Sequence, residues 1–366
     1  MSYQANDSND SCEKSEDGMH MHCSMPHVPE RKIDENMDPN RAFLIRDNEK
    51  KWVNFTVLHY HFLESRGEWV GAEAQKQAVR DAFAEWKALG VGLEFSEVPN
   101  PLDAEVRITF ERGIGAWSYI GRDSIDFIGN RRERTMNFDW NLTTPYGHDT
   151  ALHEIGHALG FPHEHQNPNA GIIWDEEAVY ATFAQPPNNW NRDTTFRNII
   201  RKISPQAVQG SAWDKNSVMH YQFPAGIIRF PEQYRTQSLI PDPGLSPMDI
   251  EEVKKFYPPA VAEQKMPELK AFLSYKIDLK PGEQLDFVIT PEQTRKYKIQ
   301  TFGKLDTLLV LFEETDAEPV FLQGDDDSGS DFNSLIETRL IRGRSYLLRL
   351  RLYFADDSGL GAVMLW

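Results

Sequence analysis

The stretch His153-Glu154-Ile155-Gly156-His157-Ala158-Leu159-Gly160-Phe161-Pro162-His163-Glu164 spaces three histidines so that one helix and one turn can bring them together. On a helix His153 and His157 stand four residues apart on one face, so a single ion can meet both imidazoles at about 2.0–2.1 Å. Glu154 sits beside the first, where a carboxylate can hold a metal-bound water without itself being a ligand. Gly160 tolerates positive φ, so it can end the helix and turn the chain back, and His163 then returns as third ligand. Three neutral imidazoles leave a fourth position open, the donor set of a catalytic zinc rather than a structural one. A His-Glu-x-x-His pair alone recurs by chance on surface helices. The longer string fixes five positions over eleven residues and does not read as a histidine-rich surface.

A second motif, Ser217-Val218-Met219-His220-Tyr221, lies downstream. Together the two resemble the metzincin zinc peptidases, whose zinc helix is followed by a tight turn carrying Met. Within them the chain is most similar to the astacin family, which shares the His-Glu ending of the zinc string and the Ser-x-Met-His-Tyr turn. The resemblance covers residues 45–258, including Leu245-Ser246-Pro247-Met248-Asp249-Ile250. It implies an α+β metzincin catalytic domain with a twisted mixed sheet, a zinc-binding helix and a Met-turn. It also implies an apolar Met219 floor beneath the ligands, and Tyr221 near the metal as a weak fifth ligand or a donor to the oxyanion. In that family the Glu matching Glu164 pairs with the new N-terminus after activation. The chain departs from the family after Glu164, where it reads His165-Gln166-Asn167-Pro168-Asn169-Ala170-Gly171 in place of an Arg- and Asp-rich segment. The body of the domain also lacks the family's cysteines.

Working outward, Trp52 to Phe62 is mostly apolar at alternate places and predicts a strand. Val79, Ala82, Phe83, Trp86 and Leu89 fall on one helical face, which Gly90 can end. Short strands are expected at Leu93–Val98, Glu105–Phe110 and Thr135–Trp140, with an edge strand within Gly113–Gly121. The zinc helix is expected from about Asp149 to Leu159, capped by Asp149 or Thr150. Residues 165–245 read as irregular loop with short helices, and Pro247–Phe256 as a closing helix before Tyr257-Pro258-Pro259. From about Leu269 the chain alternates in short runs parted by Gly, Asp and Pro, predicting an all-β antiparallel sandwich. There Leu348, Leu350 and Leu352 alternate with Arg349 and Arg351, one face dry and one wet. Three regions follow: a polar head over 1–40 serving as a pro-segment, a metallopeptidase domain over 41–262, and a β-sandwich over 263–366. The last resembles the pre-peptidase C-terminal domain of secreted bacterial peptidases.

The chain has 366 residues, with 39 Lys plus Arg against 56 Asp plus Glu, a net charge of −17. That balance argues against phosphate-backbone partners and anionic membranes, and no apolar run is long enough to cross a bilayer. The expected partner is a protein or peptide substrate of a monomeric enzyme. The resemblance implies secretion, although Met1–Asp17 has no apolar signal core. The two cysteines, Cys12 and Cys23, both lie in the polar head. In His20-Met21-His22-Cys23-Ser24-Met25-Pro26-His27 three readings stand: a metal-sticky tail, a Cys12–Cys23 disulfide, or a latency ligand in which the Cys23 thiolate takes the open zinc position. His148, His165 and His220 lie off the motif's spacing and are expected behind the ligands or on the surface. His59 and His61 carry no assignment, and Arg107 and Arg229 read as solvated surface residues rather than as shapers of a substrate pocket. Gly324-Asp325-Asp326-Asp327-Ser328-Gly329-Ser330-Asp331 is either ordinary turn chemistry or a Ca2+ site.

The expected activity is zinc-dependent peptide-bond hydrolysis with Glu154 as base and then acid, and Tyr221 at the oxyanion. Two other readings remain: a non-catalytic adhesion or matrix-binding protein with a zinc-bearing domain, and hydrolysis of a non-protein amide.

Overall fold

The computed structural model describes residues 22–28, 50–203, 212–259, 266–315, 318–354 and 357–366. They fall into two compact units, one built from 22–28, 50–52 and 56–254, the other from 53–55 and the residues after 254.

The first unit is built on a five-stranded sheet of β1 (Val57–Phe62), β2 (Glu94–Glu97), β3 (Val106–Thr109), β4 (Trp117–Ser118) and β5 (Met136–Asn137), in the order β2-β1-β3-β5-β4. Every pair is parallel except β4 with β5, so β4 is an antiparallel edge. Parallel neighbours need a crossover, and α1 (Glu73–Ala88) supplies the one from β1 to β2. Its buried face is Val79, Ala82, Phe83 and Trp86, as the spacing predicts. Trp86 Nε1 donates to Leu152 O at 3.1 Å, which ties α1 to α2 (Pro145–Ala158), the helix carrying the histidine string.

Three local expectations are corrected. The first strand starts at Val57, because Phe55 takes positive φ (64°) and breaks the extension. The long strand expected over Thr135–Trp140 and the edge over Gly113–Gly121 are each only two residues in ladder. Finally, α2 begins at Pro145, not Asp149. Thr144 caps it by accepting from Gly147 N at 3.0 Å, with Pro in the first turn where its missing N–H costs nothing.

The described residues of 165–245 are largely irregular, as expected. They hold the antiparallel pair β6 (Ile173–Trp174) and β7 (Ile228–Phe230), and α3 (Glu176–Phe183). A buried cluster of Trp174, Phe183, Ile199, Tyr221 and Phe223 gives this part its own core, and Cys23 belongs to it. The closing helix α4 spans Pro247–Phe256.

The second unit has eight strands: β8 (Ser274–Leu279), β9 (Gln284–Ile289), β10 (Arg295–Gly303), β11 (Thr307–Glu313), β12 (Val320–Asp325), β13 (Leu335–Leu340), β14 (Tyr346–Leu352) and β15 (Gly359–Leu365). They form two four-stranded sheets, β13-β10-β15-β8 and β12-β11-β14-β9. All pairs are antiparallel. Ile277, Phe287, Ile299, Leu309, Leu350 and Val363, drawn from both sheets, share one core, which makes the unit a β-sandwich. The wet face expected of β14 is corrected: Arg349 and Arg351 are 6% and 7% exposed. Val53 packs with Leu308, Val310, Phe312 and Leu347, the side chains that leave that sheet on its outer face. Arg349 lies over the Phe312 ring, its Nε 3.5 Å from Asp286 Oδ2. In the acidic loop, Asp325 Oδ2 accepts from Ser328 N and Leu335 N, which is turn chemistry. Among the described residues, no helix is long and apolar enough to cross a membrane.

Candidate metal centre and active site

His153 and His157 project from one face of α2, and Gly160, at φ 105°, ends the helix so that His163 returns to them. His157 Nε2 and His163 Nε2 are 3.0 Å apart. His153 Nδ1 meets Val218 O and His157 Nδ1 meets Phe161 O, both at 2.7 Å. A carbonyl can only accept, so each Nδ1 carries the proton and each Nε2 presents a lone pair inward. His153 Nε2 is buried without a hydrogen-bond partner. An unpartnered buried nitrogen lone pair grouped with two other imidazoles has the donor arrangement of a metal ligand. Burial lowers all three pKa values, that of His153 to about 4, so the imidazoles are neutral at pH 7 and ready to ligate.

A candidate fourth donor comes from far away in sequence. Cys23 Sγ joins His153, His157 and His163 in a group whose ligand atoms all lie within 4.8 Å of one another. Cys23 is a free, buried cysteine, so the structure does not form the Cys12–Cys23 bridge; Cys12 lies outside the described residues. Three imidazoles and one thiol fit zinc, a borderline-soft ion that takes four N and S ligands. Among the described residues this is the one such group, and the acidic loop Gly324–Asp331 forms none, leaving the Ca2+ expectation without support.

Glu154, fully buried, faces the thiol: Cys23 Sγ is 3.5 Å from Glu154 Oε2. Burial pushes Glu154 up to about 8, and the hydrogen bond from Cys23 acts against that rise. Burial, then Glu154, pushes the Cys23 thiol well above its ordinary value. The Tyr221 hydroxyl donates to the backbone carbonyl of Cys23, and its ring centroid is 4.3 Å from that of His163.

On either side of Cys23 the described residues are held at His22, Ser24 and Met25. His22 N donates to Asn188 Oδ1 (2.9 Å), Ser24 N to Ala116 O (3.2 Å) and Met25 N to Asn198 Oδ1 (3.1 Å), while His22 Nε2 meets Gln222 O (2.8 Å). These anchors escaped sequence reasoning, since no local signal links residue 22 to 188 or 222.

Beneath the ligands, Met219 packs against α2 at Gly156, where a Cβ would overlap Met219 Sδ. The turn itself is clamped by Asp249 on α4. Its carboxylate accepts from Ser217 Oγ (2.6 Å), Val218 N (2.8 Å) and Ser246 N (2.9 Å), and Ser246 Oγ accepts from Asp249 N in return. Sequence reasoning missed Asp249 as part of the site, yet Ser246-Pro247-Met248-Asp249 has the spacing of a capping box with Asp in the fourth place. Glu164 Oε1 accepts from Asn167 Nδ2 and Asp214 N, both at 3.0 Å.

Of the other histidines, His165 and His220 are buried behind the cluster, bonded to Asn198 O and Tyr221 O. His148 instead pairs with Glu85 at 2.9 Å on the surface. His59 and His61 bond Glu105 and Val98 O, away from the cluster. Arg107 corrects its surface reading: fully buried, it donates to the carbonyls of Ala104, Glu105, Ser124 and Glu133. Arg229 is exposed and pairs with Asp175.

The family model for Astacin, a peptidase family, matches residues 44–258. Zinc metalloproteinase nas-36 of Haemonchus contortus is 27% identical over 239 residues, covering 62% of this chain and 34% of that protein. Blastula protease 10 of Paracentrotus lividus is 26% identical over 199 residues, covering 51% and 30%. The chain thus spans about a third of the length of these curated relatives. The solved structure of myroilysin is 30% identical with a TM-score of 0.52, covering 59% of this chain and 98% of that one. With more than half of its length matched by the family model, the chain belongs to the astacin family of peptidases.

Proposed function

We propose that the chain is a zinc-dependent endopeptidase whose described form is latent, with Cys23 filling the position that catalysis needs open. The observation that carries this reading is the group of Cys23 Sγ with the imidazoles of His153, His157 and His163, beside the buried carboxylate of Glu154. In this reading His153, His157 and His163 hold zinc, which when bound supplies Lewis acidity to polarise a carbonyl and to make water lose a proton near neutral pH.

The chain's own residues do the rest. Glu154 takes the proton of the attacking water and passes it to the leaving amine. The Tyr221 hydroxyl, which now donates to the Cys23 carbonyl, donates to the substrate's developing oxyanion once the segment has left. β4 offers a sheet edge along which an extended substrate can add by backbone hydrogen bonds. Ser24 N already uses this stretch by donating to Ala116 O.

In this proposal residues 1–40 are the pro-segment, 41–262 the catalytic domain and 263–366 an accessory β-sandwich. The enzyme acts on protein or peptide outside the cell as a single chain. Casein turnover by the full chain, by Cys23→Ala and by a chain lacking residues 1–40 tests the reading. Weak cleavage by the first and strong cleavage by the others is expected; no cleavage by any would remove it.

A further inference from the structure

On the Met-turn side of α2 a cavity of about 270 Å3 opens beside the metal cluster, with His153, Glu154 and Tyr221 on its inner wall. Its other walls are mostly apolar: Trp140, Tyr146, Ile240, Pro241 and Pro243. Two carboxylates interrupt them. Asp149 lies one helical turn before His153 on α2, and Asp242 comes from the lining stretch Ile240–Gly244. Among the described residues lining the cavity there is no Lys or Arg. Asp149 spends one oxygen on Gly244 N at 2.9 Å, and Asp242 accepts from the neutral Asn216 amide at 2.5 Å. Neither has an ion-pair partner among the salt bridges of the described residues. Burial raises the pKa of Asp149, an effect a cation in the cavity would offset.

Among the buried polar atoms on the cavity-lining residues, Glu154 Oε1, His153 Nε2, His220 Nε2 and Gln222 Nε2 have no hydrogen-bond partner. His22 also lines the cavity, so a residue of the latency segment stands where a ligand would.

Chemistry fixes which part of a substrate comes here. A base that returns its proton to the departing amine must face that nitrogen, so the space beside Glu154 receives the residue that follows the cleaved bond. This inference therefore rests on the peptidase reading above. We propose that the cavity selects that residue, and that Asp149 and Asp242 make it select a long side chain with an apolar stem and a cationic tip, Lys or Arg. The stem packs on the aromatic and proline walls, and the tip reaches carboxylates that have no cation of their own.

The test is digestion of an unbiased peptide library by the full chain carrying Cys23→Ala and by the full chain activated by limited proteolysis of its head, with product N-termini read by mass spectrometry. New N-termini enriched in Lys and Arg are expected. For matched peptides differing only at that residue, Asp149→Asn with Asp242→Asn should lower the Lys-to-Leu ratio of kcat/KM by about tenfold or more. Asn at 149 keeps an oxygen for Gly244 N, and zinc content with the melting temperature reports on folding. Asp242→Lys, at an exposed position, should shift preference toward Glu. Cleavage without enrichment, or a ratio unchanged in both variants, overturns this proposal and leaves the peptidase standing. No cleavage by either activated form overturns both.

Discussion

The thiol of Cys23 lies 3.5 Å from Glu154 Oε2 while also grouping with the three histidines. Under the proposed function one side chain thereby stands at both places that hydrolysis needs free, the fourth metal position and the Glu154 carboxylate. The backbone of the same residue takes the third, because its carbonyl accepts from Tyr221. On the reading proposed above, latency is a matter of occupancy: the groups assigned to catalysis already surround the residue that blocks them.

Cys23→Ala in the full chain should therefore raise casein turnover by at least about tenfold, since each 1.4 kcal/mol of blocking interaction removed is a factor of ten. Zinc content, measured by atomic emission, should stay at one ion per chain because three imidazoles remain. Turnover equal to that of the unsubstituted chain would mean that Cys23 is a bystander.

Glu154→Gln in an activated chain should cost about 10²–10⁴-fold in kcat, the usual range for losing a general acid–base. Gln keeps the side chain's size in a fully buried place, so zinc binding and melting should change little. Substantial residual turnover, with zinc content unchanged, would take the proton shuttle away from this carboxylate.

Much of the site was legible because it is local. The spacing from His153 to His163 needs only a helix period and one glycine turn, and both appear where the spacing requires them. The start of α2 was misread because Asp149 and Thr150 are good capping residues. Thr144-Pro145 carried the stronger signal, a cap followed by proline in the first turn. Arg107 and Arg349 looked solvated because charge is ordinarily outside. Part of what receives them lies apart in sequence: the carbonyls of Ser124 and Glu133 for Arg107, beside the local ones of Ala104 and Glu105, and Asp286 with the Phe312 ring for Arg349. Cys23 showed the same limit. Its chemistry was readable, but its meeting with His153 depends on anchors at Asn188, Asn198 and Gln222 that no local pattern announces.

Gly156→Ala should destabilise the first unit by about 1–3 kcal/mol, the cost of overpacking a well-filled core. The added Cβ would overlap Met219 Sδ, and the sulfur has little room because Asp249 pins the turn through Ser217 and Val218. Denaturant unfolding of Gly156→Ala, Met219→Val and the double variant forms a cycle. The two changes should couple, with the smaller side chain recovering part of the loss. Additive costs would show that the glycine answers to something other than Met219.

Acid should weaken the fold through His220, and the sign follows from its burial. An unfolded histidine titrates near about 6.5; burial lowers His220 to about 4. Between those values the unfolded chain binds the extra proton and the folded chain does not. The stability His220 contributes is therefore complete above about 6.5 and is lost as pH falls toward about 4, at up to about 1.4 kcal/mol per pH unit. His220→Asn removes the titration and leaves an amide that can still donate to Tyr221 O, as Nδ1 does at 2.6 Å. Urea unfolding at pH 7, 5.5 and 4.5, at equal zinc, should show a shallower loss in the variant, with the two curves converging at low pH. Parallel curves would assign the acid sensitivity to other groups.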